Sequence, residues 1–223
     1  LIYTSSIITI GQSPPNVFSN EQTPFSAEQL TSHYARSKRE AERLVLEEAR
    51  KDFPAIVVNP AIVMGERDHK PTPSGEIIVK FLNRSYPGYF DSLWCVADAD
   101  DVAEGHILAS EKGRVGERYI LCNKEHYSME EIFKLLEKIS GIPGPRLKLP
   151  FFLIKAFAYT DEWSARFIKH KPLMPTEGLE FCRANLRCDN AKAVRELGYL
   201  TTSIEATLEK AVKWYRDHGY AKF

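Results

Sequence analysis

An α/β fold built on a parallel sheet is what this sequence predicts, and three observations carry the prediction. Strands and helices alternate from the first residue to about Ser140, the pattern of parallel-sheet units. The segments Leu1-Ile2-Tyr3-Thr4-Ser5 and Ala55-Ile56-Val57-Val58-Asn59 carry too little polar character for a half-exposed strand, so helices should cover both of their faces. At 223 residues, 43% hydrophobic and 27% charged, the chain can bury a sizeable core in one or two domains, which excludes the disordered and fibrous classes.

The elements follow in order. Residues 1–5 start as a buried strand with no initiator Met, signal peptide or polar leader, so preceding sequence is expected to have supplied its neighbours. A Pro-, Ser- and Asn-rich loop spans 11–24, then a helix is predicted from near residue 27 to 51, with Ser26 as its cap. Its spacing predicts a buried face of Tyr34, Ala41, Leu44 and Val45, opposite Arg39, Glu40, Arg43, Glu47 and Arg50. Residues 55–59 form a second strand, central in the sheet, which Pro60 ends. A charged, Pro-containing loop over 65–75 leads to a helix over 76–83, and a short strand lies around 95–97. Asp101-Val102-Ala103-Glu104 has the form of a capping box, opening a helix to about Glu111 that Gly113 ends. Residues 118–122 read as a further strand, and 128–140 as a helix capped by Ser128 with Glu131 three residues on and Gly141 as its stop. Beyond it the pattern is helices and loops, without repeats or low-complexity tracts.

Composition narrows the function. Thirty basic residues balance thirty acidic ones, so the usual electrostatic drive toward nucleic acid or anionic membranes is missing and a small-molecule substrate is expected. The most apolar run, 151–159, contains Lys155 and falls far short of the roughly 20 residues of a membrane span. Cys95, Cys122, Cys182 and Cys188 are too few and too scattered for a disulfide framework, which suits a reducing, cytoplasmic setting. The six histidines lack paired ligand spacing, so no metal site is expected.

Tyr34-Ala35-Arg36-Ser37-Lys38 places a phenol and an ammonium four residues apart on one helix face, able to point into one cleft. A phenol, with its reference pKa near 10, needs a fixed positive charge before it works as an acid or base at neutral pH. Taken alone, such a pair is usually a matter of packing and solvation. Thr4-Ser5-Ser6 ends the first strand, and ligands of open parallel sheets bind beyond the carboxyl ends of strands. There the Ser6 hydroxyl could hold a carbonyl, although such hydroxyls also simply satisfy backbone groups at a strand end. Asn59-Pro60-Ala61-Ile62-Val63 turns across the same crevice. Arg67, Arg84, Arg183 and Arg187 could bind a phosphate or carboxylate, against the plainer reading of a solvated surface.

In order and spacing, Thr4-Ser5-Ser6, Tyr34-x-x-x-Lys38, Asn59-Pro60-x-x-Val63-x-Gly65 and Asp101-Val102-Ala103 resemble the extended short-chain dehydrogenases/reductases, the NAD-dependent epimerase/dehydratase family. From Pro71 to Gly75 and from Gly116 to Leu121 the chain is most similar to dihydroflavonol-reductase-like members, including the hopanoid-associated sugar epimerases. The resemblance implies the C-terminal part of a Rossmann-type doubly wound parallel sheet over residues 1–142, with 66–95 contributing to the substrate cleft, and a mostly helical substrate-binding region over 143–223. It implies catalytic Ser6, Tyr34 and Lys38, with NAD or NADP held by Thr4, Ser5, Tyr34, Lys38, Pro60, Ala61 and Val63. Tyr34 would exchange the hydroxyl proton while hydride moves at the same carbon, Ser6 would polarise the carbonyl, and Lys38 would assist Tyr34 and hold the nicotinamide ribose. Homodimerisation is a further implication. No Gly-x-Gly-x-x-Gly occurs, so the pyrophosphate loop and the first half of the nucleotide fold are expected to precede residue 1, and this chain by itself is expected to be inactive. Three functions follow as alternatives: a sugar epimerase, a reductase of a bulky apolar ketone or aldehyde, and a non-catalytic cofactor-sensing or structural relative.

Overall fold

The computed structural model describes residues 1–14, 16–29, 32–168, 176, 179 and 187–221. Two three-stranded sheets organise it. The first holds β1 (Ile2–Thr4), β2 (Ile56–Pro60) and β5 (Arg118–Leu121) in the order β1-β2-β5, all parallel, with Tyr3 opposite Val57 and Asn59 opposite Ile120. The second holds β3 (Ile62–Met64), β4 (Leu93–Asp98) and β6 (His126–Ser128) in the order β3-β4-β6, parallel between β3 and β4 and antiparallel between β4 and β6. As expected, β2 is central in its sheet, and all five of its residues are buried. β3 and β6 are not foreseen by the sequence reading, because each is only three residues long and too short to display a period of two.

Helices α1 (His33–Ala49), α2 (Pro73–Leu82), α3 (Ala99–Lys112), α4 (Met129–Ser140), α5 (Phe151–Ile168), α6 (Ala191–Leu197) and α7 (Ile204–Asp217) surround the sheets. Several begin elsewhere than the sequence suggests. Ser26 caps only a separate short turn, Ala27–Gln29, by accepting from the Glu28 amide, whereas α1 is capped by Ser32, whose Oγ accepts from the Ala35 amide at 3.0 Å. The buried face of α1 is also not the expected one. It is Ala35, Glu42 and Ala49, at seven-residue spacing, while Leu44 and Tyr34 are about half exposed. Alanine lets the helix lie close to its neighbours, and the buried charge of Glu42 is met by Arg39 and Arg118. Thr72 starts α2 earlier than expected, with Pro73 at the first helical position. For α3 the cap is Asp98, which accepts from the Asp100 amide at 2.8 Å, and Asp101 instead accepts from the amide and hydroxyl of Thr202 at 2.6 and 2.8 Å. The Ser128 capping box and the left-handed Gly141 stop of α4 match the expectation.

Three buried clusters hold these layers. The largest joins α2, α4, α7 and β4 through Phe81, Phe133, Leu208 and Trp94, and the second joins α3, α6, β2 and β5 through Val102, Leu197, Val58 and Leu121. The third gathers Ile7, Ile8, Ile10, Ala35, Cys95, Ile120, Cys122 and Cys188, with Ala61 at its edge. The three cysteines are free thiols, and Cys182 lies outside the described residues. In α5 the aromatic run divides: Phe151 meets Phe90 at 5.5 Å and Ile154 and Ala158 are buried, while Phe152, Phe157, Tyr159 and Trp163 are 53–69% exposed.

Candidate active site

β1 ends at Thr4, where the chain turns at once into a single helical turn, Ile7–Thr9, capped by Ser6. The Ser6 Oγ accepts from the Ile8 amide at 3.3 Å, which leaves its own hydroxyl proton available to a second acceptor. α1 crosses this turn closely because Ala35 packs in one cluster with Ile7 and Ile8, and Ala61 borders the same cluster. That approach carries Tyr34 and Lys38 to the carboxyl end of β1. Lys38 Nζ donates to the Thr4 carbonyl at 3.1 Å and stands 5.9 Å from the centre of the Tyr3 ring. Tyr34 lies one turn before Lys38 and is 47% exposed.

The neighbouring side chains are committed in different directions. Thr4 Oγ1 lies 2.8 Å from His106 Nε2, and His106 Nδ1 lies 2.7 Å from the Val102 carbonyl. Because a carbonyl can only accept, His106 Nδ1 carries the proton shared with Val102, and Nε2 is the ring atom that meets the Thr4 hydroxyl. Ser5 is buried, with Oγ 3.3 Å from the Thr9 hydroxyl. The hydroxyls of Thr4 and Ser5 thus face protein partners, and the Thr4 carbonyl is the group that meets Lys38. Pro60 closes β2 opposite Leu121, Ala61 donates its amide to the Leu121 carbonyl at 3.0 Å, and Val63 lies in β3 opposite Ala97. Burial first, then the nearby Glu42 and Tyr34 side chains, push the Tyr3 phenol above its ordinary pKa.

Tyr3, Thr9, Glu42 and His106 are parts of this surround that sequence reasoning does not select. His106 stands 102 residues from Thr4, and no local spacing reports such a pair. Of the four arginines singled out, Arg67 pairs with Glu66 at 2.9 Å, Arg187 donates to Asn16 at 3.1 Å, and Arg183 lies outside the described residues. Arg84 borders a small hollow with Phe81, Tyr86 and residues 143–145, which shares no residue with the strand-end constellation. Among the described residues no group of three or more His, Cys, Asp or Glu could hold a metal ion, and no helix is long and apolar enough to cross a membrane.

Comparison with known proteins identifies the family and agrees with the α/β fold. The family model described as the NAD dependent epimerase/dehydratase family matches residues 1–122. A putative dihydroflavonol 4-reductase of Synechocystis sp. is 36% identical over 99% of this chain, which spans 65% of that protein's length. Sterol demethylase protein B of Methylococcus capsulatus is 30% identical over 98% of the chain and 67% of its own length. Among solved structures, PA4631 of Pseudomonas aeruginosa, described as a nucleoside-diphosphate-sugar epimerase, superposes with a TM-score of 0.83 at 27% identity, covering 99% of this chain and 68% of its own.

Proposed function

The chain belongs to the NAD-dependent epimerase/dehydratase family, and on that premise we propose that it carries the proton-transfer half of an NAD(P)-dependent oxidoreductase site. The observation that carries this reading is the bond from Lys38 to the Thr4 carbonyl, with Tyr34 one turn away at the carboxyl edge of the parallel sheet. Open α/β sheets receive their ligands at that edge. The donor set suits a nicotinamide ribose, since one N–H of the ammonium is used by Thr4 and two remain for hydroxyl oxygens. NAD(P), when bound, supplies or accepts a hydride.

The chain's own residues do the rest. Tyr34 gives its phenolic proton to a carbonyl oxygen or takes it back from the alcohol, Lys38 favours the phenolate form in between, and Ser6 donates its free hydroxyl proton to the same oxygen. Such proton transfer is worth about 100- to 10,000-fold in rate. The backbone at Pro60, Ala61 and Val63 would border the nicotinamide, and Thr4 and Ser5 would contribute through their main chain. We assign residues 1–142 to the cofactor side, and 143–223 with part of 66–95 to the substrate side.

The favoured substrate is a bulky apolar ketone or aldehyde, because the relatives at 30% identity and above carry reductase and sterol-processing names. Epimerisation of a nucleotide sugar is the second reading, supported by the likeness to PA4631. A panel of both substrate classes, offered with NADH and NADPH to the full-length protein that carries this chain, separates them. Cofactor oxidation by apolar carbonyls alone supports the first; sugar epimerisation without carbonyl reduction refutes it. In either case Tyr34→Phe should lower turnover about 100-fold or more at unchanged thermal stability. Near-normal turnover of that variant would refute the Ser-Tyr-Lys assignment.

A further inference from the structure

Glu42 sits on the inner face of α1, one turn beyond Lys38, and is 0% exposed. Its Oε1 accepts from Arg118 Nη1 at 3.0 Å and from Arg39 Nη1 at 3.4 Å. Its Oε2 accepts from Thr9 Oγ1 at 2.6 Å and from Asn59 Nδ2 at 2.7 Å. The Ser6 carbonyl lies 3.1 Å from the same Asn59 nitrogen and 2.7 Å from the Thr9 hydroxyl. Thr9 has a single hydroxyl proton, and the charged carboxylate is the stronger acceptor for it. Asn59 has two amide protons, enough to bridge Glu42 to Ser6. One carboxylate therefore joins four segments: α1 with Tyr34 and Lys38, the turn with Ser6, the end of β2, and the start of β5.

A buried ionic network seldom outweighs apolar packing in stability, and what it does provide is a single geometry with directional bonds. We propose that Glu42 is a positioning residue, which acts through Asn59 and Thr9 to set Ser6 against Tyr34. The inference rests on the Ser-Tyr-Lys reading. Glutamine cannot replace this carboxylate, because its amide would point N–H donors either at the arginines or at Thr9 and Asn59.

The test uses the full-length protein that carries this chain, including the nucleotide-binding half expected before residue 1, with benzaldehyde as carbonyl probe and NADPH as reductant, in the variants E42Q, T9V, T9S, S6A, S6A/E42Q and Y34F. We expect E42Q to lower kcat about 10-fold or more with KM changed less than about 3-fold, T9V to fall between, and T9S to recover. The combined variant S6A/E42Q should be no slower than S6A, since Glu42 acts through Ser6. Multiplying losses in that variant would mean a general structural role and overturn the proposal. Amide exchange provides a second readout that needs no turnover. In E42Q and T9V the amides of Ile8, Thr9 and Ile10 should exchange faster while Val57 and Val58 in β2 stay protected. A uniform rise, or none, overturns the proposal. T9V carries the test if E42Q does not fold. Full activity of Y34F would remove the Ser-Tyr-Lys reading, and the exchange pattern alone would then decide whether Glu42 holds the turn.

Discussion

At the scale of single residues, Lys38 has two bonds' worth of consequence. It holds the Thr4 carbonyl, and in the proposed reaction it also serves Tyr34 and a ribose. Lys38→Met keeps the aliphatic stem and removes the charge, so cofactor affinity and turnover should both fall, each by about 10-fold or more. Calorimetric titration of the full-length protein that carries this chain with NADPH, and its turnover on the identified substrate, check this; loss of turnover with unaltered affinity would deny Lys38 its ribose contact. The Tyr34–Lys38 pair is legible in the sequence because both residues stand on one helix within five positions. Glu42 is not, although it lies on the same helix. A glutamate among Arg39, Glu40 and Arg43 reads as one more solvated charge, and only partners contributed by residues 9, 59 and 118 give it a role. Tyr3 is hidden for a related reason, since an aromatic residue in an apolar strand looks like filler.

Between residue and fold stand the helix ends, where two serines competed for one cap. Ser32→Ala should destabilise the protein by about 1 kcal/mol, since it removes the acceptor of the Ala35 amide in α1, while Ser26→Ala should change little. Equal losses in thermal unfolding would return the cap to Ser26. The packing of α3 is set by Gly105, where a methyl group would come within 2.7 Å of a Leu121 methyl carbon. Gly105→Ala should therefore cost about 1–3 kcal/mol through overpacking, despite the better helix propensity of alanine. Urea unfolding measures it, and a gain in stability would show that Leu121 can yield. Caps were legible where a local pattern was complete, as at Ser128, Glu131 and Gly141. They are hidden where the acceptor lies a few residues off, as at Asp98, whose side chain also answers to Thr207 and Lys210 far along the chain.

For the molecule as a whole, that aspartate links the helical second half to acidity. Burial alone would push Asp98 up, but Lys210 at 2.9 Å, Thr207 at 2.7 Å and the Asp100 amide hold it below the ordinary carboxylate range. A folded-state pKa that is depressed adds stability above the unfolded value, and this is lost as pH falls through the folded one. The unfolding midpoint should accordingly decline as pH drops below about 4, and Asp98→Asn should flatten the decline while lowering the midpoint at neutral pH. An unchanged acid slope in that variant would assign the decline to other carboxylates. The parallel sheet and its central strand were legible from apolar runs, but its division in two was not, because β3 and β6 each have only three residues. One residue, Ala61, separates β2 from β3. The two sheets are therefore joined along one seam, stitched there by the Ala61 amide to the Leu121 carbonyl and by the Asn123 amide to the Val96 carbonyl. A dinucleotide lying along residues 60–63, as proposed, would span that seam, so its binding energy would be felt by both sheets and their melting would become one sharper event.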